Sequence, residues 1–265
     1  MNKTRGLLID LDGTMYHGQH MISGADVLIS TLKANHIPYL FVTNNSSRTP
    51  EGVAALLNEM GIQAEAHEVC TSSEATAKYI SERSPGARVA ILGEAGLRHA
   101  LMNAGLQEVD HNPQYVVQGI DRTFSYDSLS KAIQWIRAGA EYILTNPDLL
   151  LPSDAGFIPG AGTIAAAIEA GTGVKPLVIG KPARHLMTYA TDKLGMEPSA
   201  VTVIGDNMRT DIAAGVAAGC QTILVLTGVT TEASLQEDMR IVGVEPNVVC
   251  KDLQGLLQQL SEGLI

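Results

Sequence analysis

The sequence predicts an α/β fold with a Rossmann-like parallel-sheet core, into which a smaller α/β domain is inserted. Short apolar runs alternate with stretches whose apolar residues recur at helical spacing, as they do in βαβ units. Two boundaries rich in small residues and turn formers, Ser84-Pro85-Gly86 and Gly171-Thr172-Gly173, interrupt this alternation. Polar residues follow several of the apolar runs directly, as expected at the carboxyl ends of parallel strands.

Composition excludes several classes of function. The 265 residues are 45% hydrophobic and 17% charged, which allows one large domain or two of ordinary size and argues against disorder. With 28 acidic and 18 basic residues, the net charge is −10 and no Lys/Arg cluster occurs, so we expect no nucleic-acid partner. Three widely separated cysteines (Cys70, Cys220 and Cys250) without zinc-ligand spacing indicate buried thiols. Because no apolar run is long enough for a bilayer and no signal-like segment precedes the first strand, we expect a cytoplasmic protein with no membrane partner.

The first third of the chain is predicted to be a β-α-β-α-β-α series. Each strand is a short apolar run, and each helix carries apolar residues at i, i+3 and i+4 spacing. Pro50 near a helix start and Glu74 in a first turn mark two of the helix N-termini. The predicted strands are 7–9, 38–42 and 68–71, and the predicted helices are 25–36, 49–61 and 73–83.

A second alternating series follows, which can close a core of its own, and the first pattern then resumes. The middle section has predicted strands at 89–92, 115–119 and 142–145, with helices near 96–104, 128–138 and 164–169. The last section has predicted strands at 177–179, 201–204, 222–226 and 248–249, with helices at 183–194, 210–218 and 253–260. The simplest organisation is a core of residues 1–83 and 175–265 with residues 84–174 inserted.

Two carboxylates directly follow the first strand. Asp10 and Asp12 are two residues apart, so in an extended chain they point to the same side, and Gly13 allows a sharp turn after them. One carboxylate can then attack an electrophile while the other transfers protons. An acidic turn without catalytic function would use the same residues, and the pair alone does not decide between the two interpretations.

Three further polar segments follow predicted strands of the core. Thr43-Asn44 offers a hydroxyl and an amide suited to phosphoryl oxygens, although a helix cap or turn is the commoner use of such a pair. Gly180-Lys181-Pro182 places a lysine after an apolar strand, where an ordinary surface lysine is the alternative. Asp206 and Asp211 lie between a strand and a helix, where N-capping is the alternative.

Taken together, these segments favour phosphoryl transfer. Asp10, Asp12 and Asp206 would crowd negative charge into one cleft, which requires a cation. Carboxylate oxygens without His or Cys suit Mg²⁺. Mg²⁺ and Lys181 would neutralise a transferring phosphoryl group.

The four segments resemble the four motifs of haloacid-dehalogenase (HAD) superfamily phosphatases, in the same order and over essentially the whole chain. The quoted motifs are Asp10-Leu-Asp12-Gly-Thr, Thr43-Asn44, Gly-Lys181-Pro and Gly-Asp206-Asn-x-x-Thr-Asp211. The insertion resembles the α/β cap of the NagD-type subgroup, which includes 4-nitrophenyl phosphatases. The similar cap segments are 116–122, 145–148 and 159–162.

The resemblance implies a role for each motif residue. Asp10 would become an aspartyl phosphate, and Asp12 would protonate the leaving oxygen and then accept a proton from water. Mg²⁺ would be held by the Asp10 carboxylate, the Asp12 main-chain oxygen and Asp206. Thr43, the Asn44 amide and Lys181 would hold the phosphoryl group, and Asp211 would orient Lys181 or a metal-bound water. The segment that borders the substrate in this subgroup consists here of Asn207, Met208, Arg209 and Thr210.

The sequence therefore predicts a Mg²⁺-dependent phosphomonoester hydrolase acting on a small phosphorylated metabolite. Dehalogenases of the superfamily lack the acid at the position of Asp12, so its presence favours hydrolysis of phosphate esters. The alternatives are a phosphomutase and a catalytically silent module that binds a sugar phosphate or nucleotide. Residues 146–148 and 159–163 are candidates for reading the substrate, and the resemblance implies a homodimer formed through the cap. Sugar phosphates, nucleotides, phosphoglycolate and pyridoxal phosphate all stay open as substrates.

Overall fold

The computed structural model describes residues 6–153 and 156–262. The described residues fall into two compact units. The core unit draws on Met1–Thr43, Glu51–Cys70 and Lys181–Ile265, and the inserted unit consists of Asn44–Pro50 and Thr71–Gly180. No helix among the described residues has both the length and the apolar character needed to cross a membrane.

In chain order the strands are β1 (Gly6–Ile9), β2 (Tyr16–His17), β3 (His20–Met21), β4 (Tyr39–Thr43), β5 (Val69–Thr71), β6 (Arg88–Leu92), β7 (Gln107–Glu108), β8 (Tyr115–Gln118), β9 (Glu141–Leu144), β10 (Leu150–Ser153), β11 (Gly156–Pro159), β12 (Leu177–Val178), β13 (Val201–Gly205), β14 (Gln221–Val225) and β15 (Val248–Cys250). The α-helices are α1 (Ala25–Ala34), α2 (Pro50–Glu59), α3 (Ser72–Arg83), α4 (Ala95–Asn103), α5 (Tyr126–Arg137), α6 (Ala161–Thr172), α7 (His185–Leu194), α8 (Ala213–Ala218), α9 (Leu235–Val242) and α10 (Leu253–Ser261).

A six-stranded sheet with the order β15-β14-β13-β1-β4-β5 organises the core unit. The central strand β1 runs parallel to both β13 and β4, with Leu8 opposite Val203 and Leu40. Leu7, Leu8 and Ile9 are fully buried, which explains why β1 is an uninterrupted apolar run. Because β1, β4 and β13 are parallel neighbours, their carboxyl ends lie at one edge of the sheet.

The inserted unit has its own sheet and its own core. Its five strands, in the order β12-β9-β8-β6-β7, are parallel throughout. Val116 of β8, Ile136 of α5 and Ile168 of α6 belong to one buried apolar cluster. Strands β10 and β11 form a separate antiparallel hairpin. Both units thus have the α/β architecture with parallel sheets that the sequence predicts.

The structure differs from the sequence-based assignment near the unit boundaries. The run at 177–179 was predicted to be a core strand, but Leu177 and Val178 form β12, which pairs with β9 in the inserted unit. Helix α3 and residues 44–50, predicted to lie in the core, also belong to the inserted unit, where α3 packs against α4. The compact units therefore divide the chain at 43/44, 50/51, 70/71 and 180/181. The boundaries predicted for the domains, at 84 and 174, coincide with none of these positions.

Several elements were missed because their sequence signal is weak. Strands β7, β10 and β11 are short, and polar residues or proline interrupt their apolar pattern. Helix α9 was also not predicted, but its signal is not weak, because Leu235, Met239 and Val242 recur along it at helical spacing and pack against a small buried cluster.

Candidate active site

Asp10 and Asp12 leave the central strand in different surroundings. The backbone N–H of Asp10 continues the sheet by donating to Ile204 O (2.8 Å), and its side chain is buried. Asp12 is exposed. Gly13 follows with a φ of +87°, a conformation that side chains other than glycine rarely adopt. A Cβ on Gly13 would lie 2.5 Å from Asp206 Oδ2, so the glycine also permits the close approach of Asp206.

Lys181 links two of the carboxylates. Its ammonium donates to Asp10 Oδ1 and, at 2.6 Å, to Asp211 Oδ1. Lys181, Asp10 and Asp211 are all buried, so this ion-paired group is shielded from water. The lysine follows β12 of the inserted unit's sheet, which corrects the expectation that it follows a core strand.

Asp206 follows β13 at the carboxyl edge of the core sheet and is held by the loop after β14. Its Oδ2 accepts the backbone N–H of Val229 (2.6 Å), and its main-chain oxygen accepts that of Thr230 (3.0 Å). Gly228 makes this contact possible, because a Cβ there would lie 2.0 Å from Asp206 Oδ2. The backbone N–H groups of Val229 and Thr230 thus orient Asp206.

A single hydroxyl lies between Asp10 and Asp206. Thr14 Oγ1 is 3.4 Å from Asp10 Oδ2 and 3.4 Å from Asp206 Oδ1, and the threonine is fully buried. A hydroxyl carries one proton, so it can donate to only one of these oxygens at a time, and both distances are long for an O–H···O bond. These two carboxylate oxygens are therefore the ones best placed to take a further, positively charged partner.

The pKa values of the carboxylates Asp10, Asp12 and Asp206 are raised above their ordinary range. Burial, and next the Asp211 carboxylate, raises the pKa of Asp10 well above its ordinary value, against the opposing effect of Lys181. Burial and Asp211 likewise raise the pKa of Asp206 to about 6. Burial alone would lower the pKa of Lys181, but Asp10 and Asp211 outweigh it, so the ammonium stays protonated. Desolvation also raises the pKa of Asp12, while His17 and the Gly18 and Gly13 amides oppose the rise.

One oxygen each of Asp10, Asp206 and Asp211 can be chosen so that all three lie within 4.8 Å of one another. If all three were ionised beside Lys181, the carboxylates would leave a net charge of −2 in a buried volume, and the raised pKa values of Asp10 and Asp206 oppose that state. Both oxygens of Asp211 already have partners, Lys181 Nζ and the Asn207 N–H (3.1 Å). Asp10 and Asp206 are accordingly the better ligand candidates, and an all-oxygen donor set fits a hard divalent cation.

The predicted phosphate-binding pair lies on a unit boundary. Thr43 ends β4 and is buried in the core unit, beside β1. Asn44 belongs to the inserted unit, where its side-chain Nδ2 donates to Asp148 Oδ2 (3.3 Å). The two neighbouring residues thus carry the chain from one unit into the other.

The segment predicted to border the substrate forms a π-helical turn, Met208–Ile212. Asn207 caps it by accepting the Arg209 N–H (2.9 Å), and Thr210 Oγ1 lies 3.5 Å from Asp211 Oδ2. The Arg209 guanidinium pairs with the buried Asp238 of α9 (2.8 Å). The Met208 side chain is fully buried and packs with Ile212 and Leu224.

Sequence reasoning missed the residues that hold the carboxylates in place. Thr14 belongs to the first motif, but the sequence predicts no separate role for it or for the loop 227–230. In addition to the contacts with Asp206, Thr227 Oγ1 donates to Gly13 O (2.7 Å) and Thr230 Oγ1 accepts the Met208 N–H (3.0 Å). The available signal was the Thr-Gly-Val-Thr segment directly after a buried strand, the position in which the other motifs were found.

Comparison with known proteins gives one consistent result. Residues 7–107 match the haloacid dehalogenase-like hydrolase family, and residues 178–256 match a HAD-hydrolase-like family. An acid sugar phosphatase of Staphylococcus aureus is 45% identical over 99% of this chain and 100% of its own length. The p-nitrophenyl phosphatase of Archaeoglobus fulgidus has a TM-score of 0.91 at 35% identity, covering 97% of this chain and 99% of that one. A double mutant of the thermostable NPPase of Geobacillus stearothermophilus has a TM-score of 0.88 at 42% identity, covering 96% and 98%.

Proposed function

Because this chain belongs to the haloacid dehalogenase-like hydrolase family and is a phosphatase, we propose that it is a Mg²⁺-dependent phosphomonoesterase that works through an aspartyl phosphate on Asp10. The observation that carries this proposal is the buried group of Asp10, Asp206 and Asp211 beside Lys181, in which burial and mutual repulsion oppose full ionisation of the carboxylates. Asp10 must be ionised to attack phosphorus, yet burial raises its pKa. A divalent cation beside it would restore the ionised form.

The donor set supports Mg²⁺ in particular. Asp10 Oδ2 and Asp206 Oδ1 are the oxygens whose contact with Thr14 is long, at 3.4 Å. These two oxygens, with the main-chain oxygen of Asp12, would hold the ion, and Mg²⁺ typically uses few protein oxygens while keeping waters or substrate phosphate. When bound, the ion would neutralise the charge of the phosphoryl group and keep it near Asp10.

The chain's own residues then carry the chemistry. An Asp10 carboxylate oxygen attacks phosphorus, the bond from phosphorus to the ester oxygen breaks, and the Asp12 carboxyl protonates the departing oxygen. A raised pKa of Asp12 favours the protonated form needed for that step. Water then attacks the phosphorus of the acyl phosphate, Asp12 accepts its proton, and the Asp10 carboxylate is restored. Thr43, the Asn44 amide and Lys181 would hold the phosphoryl oxygens.

The proposed substrate class is a small sugar phosphate. The support is the acid sugar phosphatase of S. aureus, which is similar to this chain along its full length. Residues 159–163 at the start of α6 stay candidates for reading the sugar. A homodimer formed through the inserted unit is also proposed, and light scattering coupled to size exclusion would measure it.

Phosphate release tests the function. With p-nitrophenyl phosphate or a panel of sugar phosphates, the wild type is expected to release inorganic phosphate with Mg²⁺ and to lose activity with EDTA. Asp10→Asn should abolish turnover and the acid-stable phosphoenzyme, whereas the control Asp26→Asn, at an exposed position on α1, should behave as wild type. Wild-type turnover by Asp10→Asn would refute the nucleophile. Release of an isomerised phosphate ester would indicate a mutase, and binding without turnover a silent module.

A further inference from the structure

A polar cluster in the inserted unit surrounds Asn44. We call it the Asn44 cluster, and it comprises Asn44, Ser72, Asn146, Asp148 and Gly180. The Asn44 carbonyl oxygen accepts two hydrogen bonds, from Asn146 Nδ2 (2.8 Å) and from Ser72 Oγ (2.8 Å). The Asn44 side chain donates to Asp148 Oδ2 (3.3 Å). Asn44 is therefore held through both its backbone and its side chain.

The groups that hold Asn44 are themselves fixed. Asn146 and Ser72 are buried, and Asn146 Oδ1 accepts the Asp148 N–H (3.3 Å). Gly180 packs directly against Asn44, because a Cβ there would lie 2.5 Å from Asn44 Oδ1. The Gly180 N–H donates to Thr145 O (2.8 Å), which ties the chain just before Lys181 to the residue just before Asn146. Buried, mutually bonded polar groups of this kind specify one arrangement.

The cluster lies where the chain passes between the units. Asn44 is the first residue of the segment Asn44–Pro50 of the inserted unit. In its second segment, Thr71–Gly180, Ser72 is the second residue and Gly180 the last. Asn44 directly follows Thr43, and Gly180 directly precedes Lys181. The Asn44 carbonyl shares a planar peptide group with the Asn45 N–H, so holding this oxygen fixes the direction of the Asn45 N–H and limits rotation about the Cα–C bond of Asn44.

We infer that Asn146 is a positioning residue for Asn44, the second residue of the proposed phosphate-binding pair, and that it acts through the Asn44 carbonyl. This inference rests on the proposed function. It replaces the expectation that Asn146 reads the substrate, because its buried amide donates to the Asn44 backbone. Asp148 acts in the same way on the Asn44 side chain. Loss of the Asn146 donor should therefore weaken binding of the phosphate group itself, whatever leaving group is attached.

Inorganic phosphate is the probe that tests this, because it has no leaving group. Asn146→Asp keeps the side-chain shape, removes the two amide donors and places a carboxylate oxygen against the Asn44 carbonyl. We expect the inhibition constant of phosphate to rise about tenfold, since the Asn44 carbonyl loses one of its two donors and faces a carboxylate oxygen instead. KM for p-nitrophenyl phosphate and for a sugar phosphate should rise by the same factor. Asn103→Asp, at an exposed position on α4 of the same unit, is the matched control and should leave all three constants unchanged.

Each outcome decides between the roles. A lower unfolding temperature with an unchanged phosphate inhibition constant would mean a purely structural role and overturn the inference. A raised KM for the sugar phosphate alone would mean that Asn146 reads the substrate, which also overturns it. If Asn146→Asp does not fold, Ser72→Ala removes the other donor to the same carbonyl, and it should raise the phosphate inhibition constant about threefold or the inference fails. A wild type that releases no phosphate would instead refute the proposed function, and the inference with it.

Discussion

The raised pKa of Asp206 makes the metal-free protein lose stability as the pH rises. Burial and Asp211 raise that pKa to about 6 in the folded chain, against an ordinary value of about 3.9 when unfolded. Between these two values the folded state binds more protons than the unfolded state, so the free energy of unfolding falls with pH. A difference of about two units corresponds to about 3 kcal/mol, lost progressively from pH 4 to above pH 6.

Replacing the carboxyl isolates this effect from all other titrating groups. Asp206→Asn cannot ionise, so the wild type should become less stable relative to the variant by about 3 kcal/mol between pH 4 and pH 7. In thermal unfolding with EDTA, this corresponds to a relative shift in Tm of roughly 6–12 °C for a chain of this size. Saturating Mg²⁺ should restore the wild type at pH 7 but not Asp206→Asn, if Asp206 is a ligand.

Asp26→Asn is the control, because Asp26 is exposed on α1. Its free energy of unfolding is measured across the same pH range as that of the wild type and Asp206→Asn. A difference between wild type and Asp206→Asn that does not change with pH would refute the reasoning. It would mean that the cluster does not penalise the ionised carboxylate, and the electrostatic case for a divalent cation would fail.

Three further substitutions test other parts of the site. Lys181→Met removes the ammonium that pairs with the buried Asp10 and Asp211 carboxylates. It should lower the free energy of unfolding at neutral pH by about 3–5 kcal/mol, as measured by denaturation. It should also abolish phosphate release in a colorimetric assay. Gly228→Ala forces Asp206 to move, because the new Cβ would lie 2.0 Å from Asp206 Oδ2. Calorimetry should show Mg²⁺ binding weakened about tenfold. In the control Gly255→Ala, the atom nearest to the new Cβ lies 3.6 Å away, and Mg²⁺ binding should not change. Asp12→Ala should slow turnover about 10²–10⁴-fold and let the phosphoenzyme accumulate in a quench experiment, and unchanged steady-state kinetics would exclude its role as acid and base.

The fold and the carboxylates were predictable because they leave a pattern in residue types. An apolar run that ends in Asp10 or Asp206 indicates both a buried parallel strand and the edge at which it stops. The fold class was predicted on that basis, the superfamily and the phosphatase activity were predicted from the resemblance of the four motifs, and all three are confirmed. Lys181 was selected for a reason that is partly wrong, because β12, which leads to it, belongs to the other sheet.

The supporting residues were not predictable for a physical reason. Val229 and Thr230 hold Asp206 through backbone N–H groups, which every residue except proline carries, so the sequence can mark the segment after β14 but not these particular contacts. Met208 is buried and begins a π-helical turn, a rare local conformation that the pattern of apolar residues does not indicate. Asn146 was singled out, but its partner is a carbonyl more than a hundred positions away along the chain, and only the fold brings them together.

The way in which the chain builds the inserted unit limits how this unit can be exchanged between related enzymes. It consists of two separate stretches of chain, Asn44–Pro50 and Thr71–Gly180. A graft that cuts at the turn near Pro85 would transfer α4 without α3, the helix against which it packs, and would also leave Ser72 behind. A chimera designed to swap substrate preference should therefore be joined at 70/71 and 180/181 and should carry the donor's residues 44–50 as well.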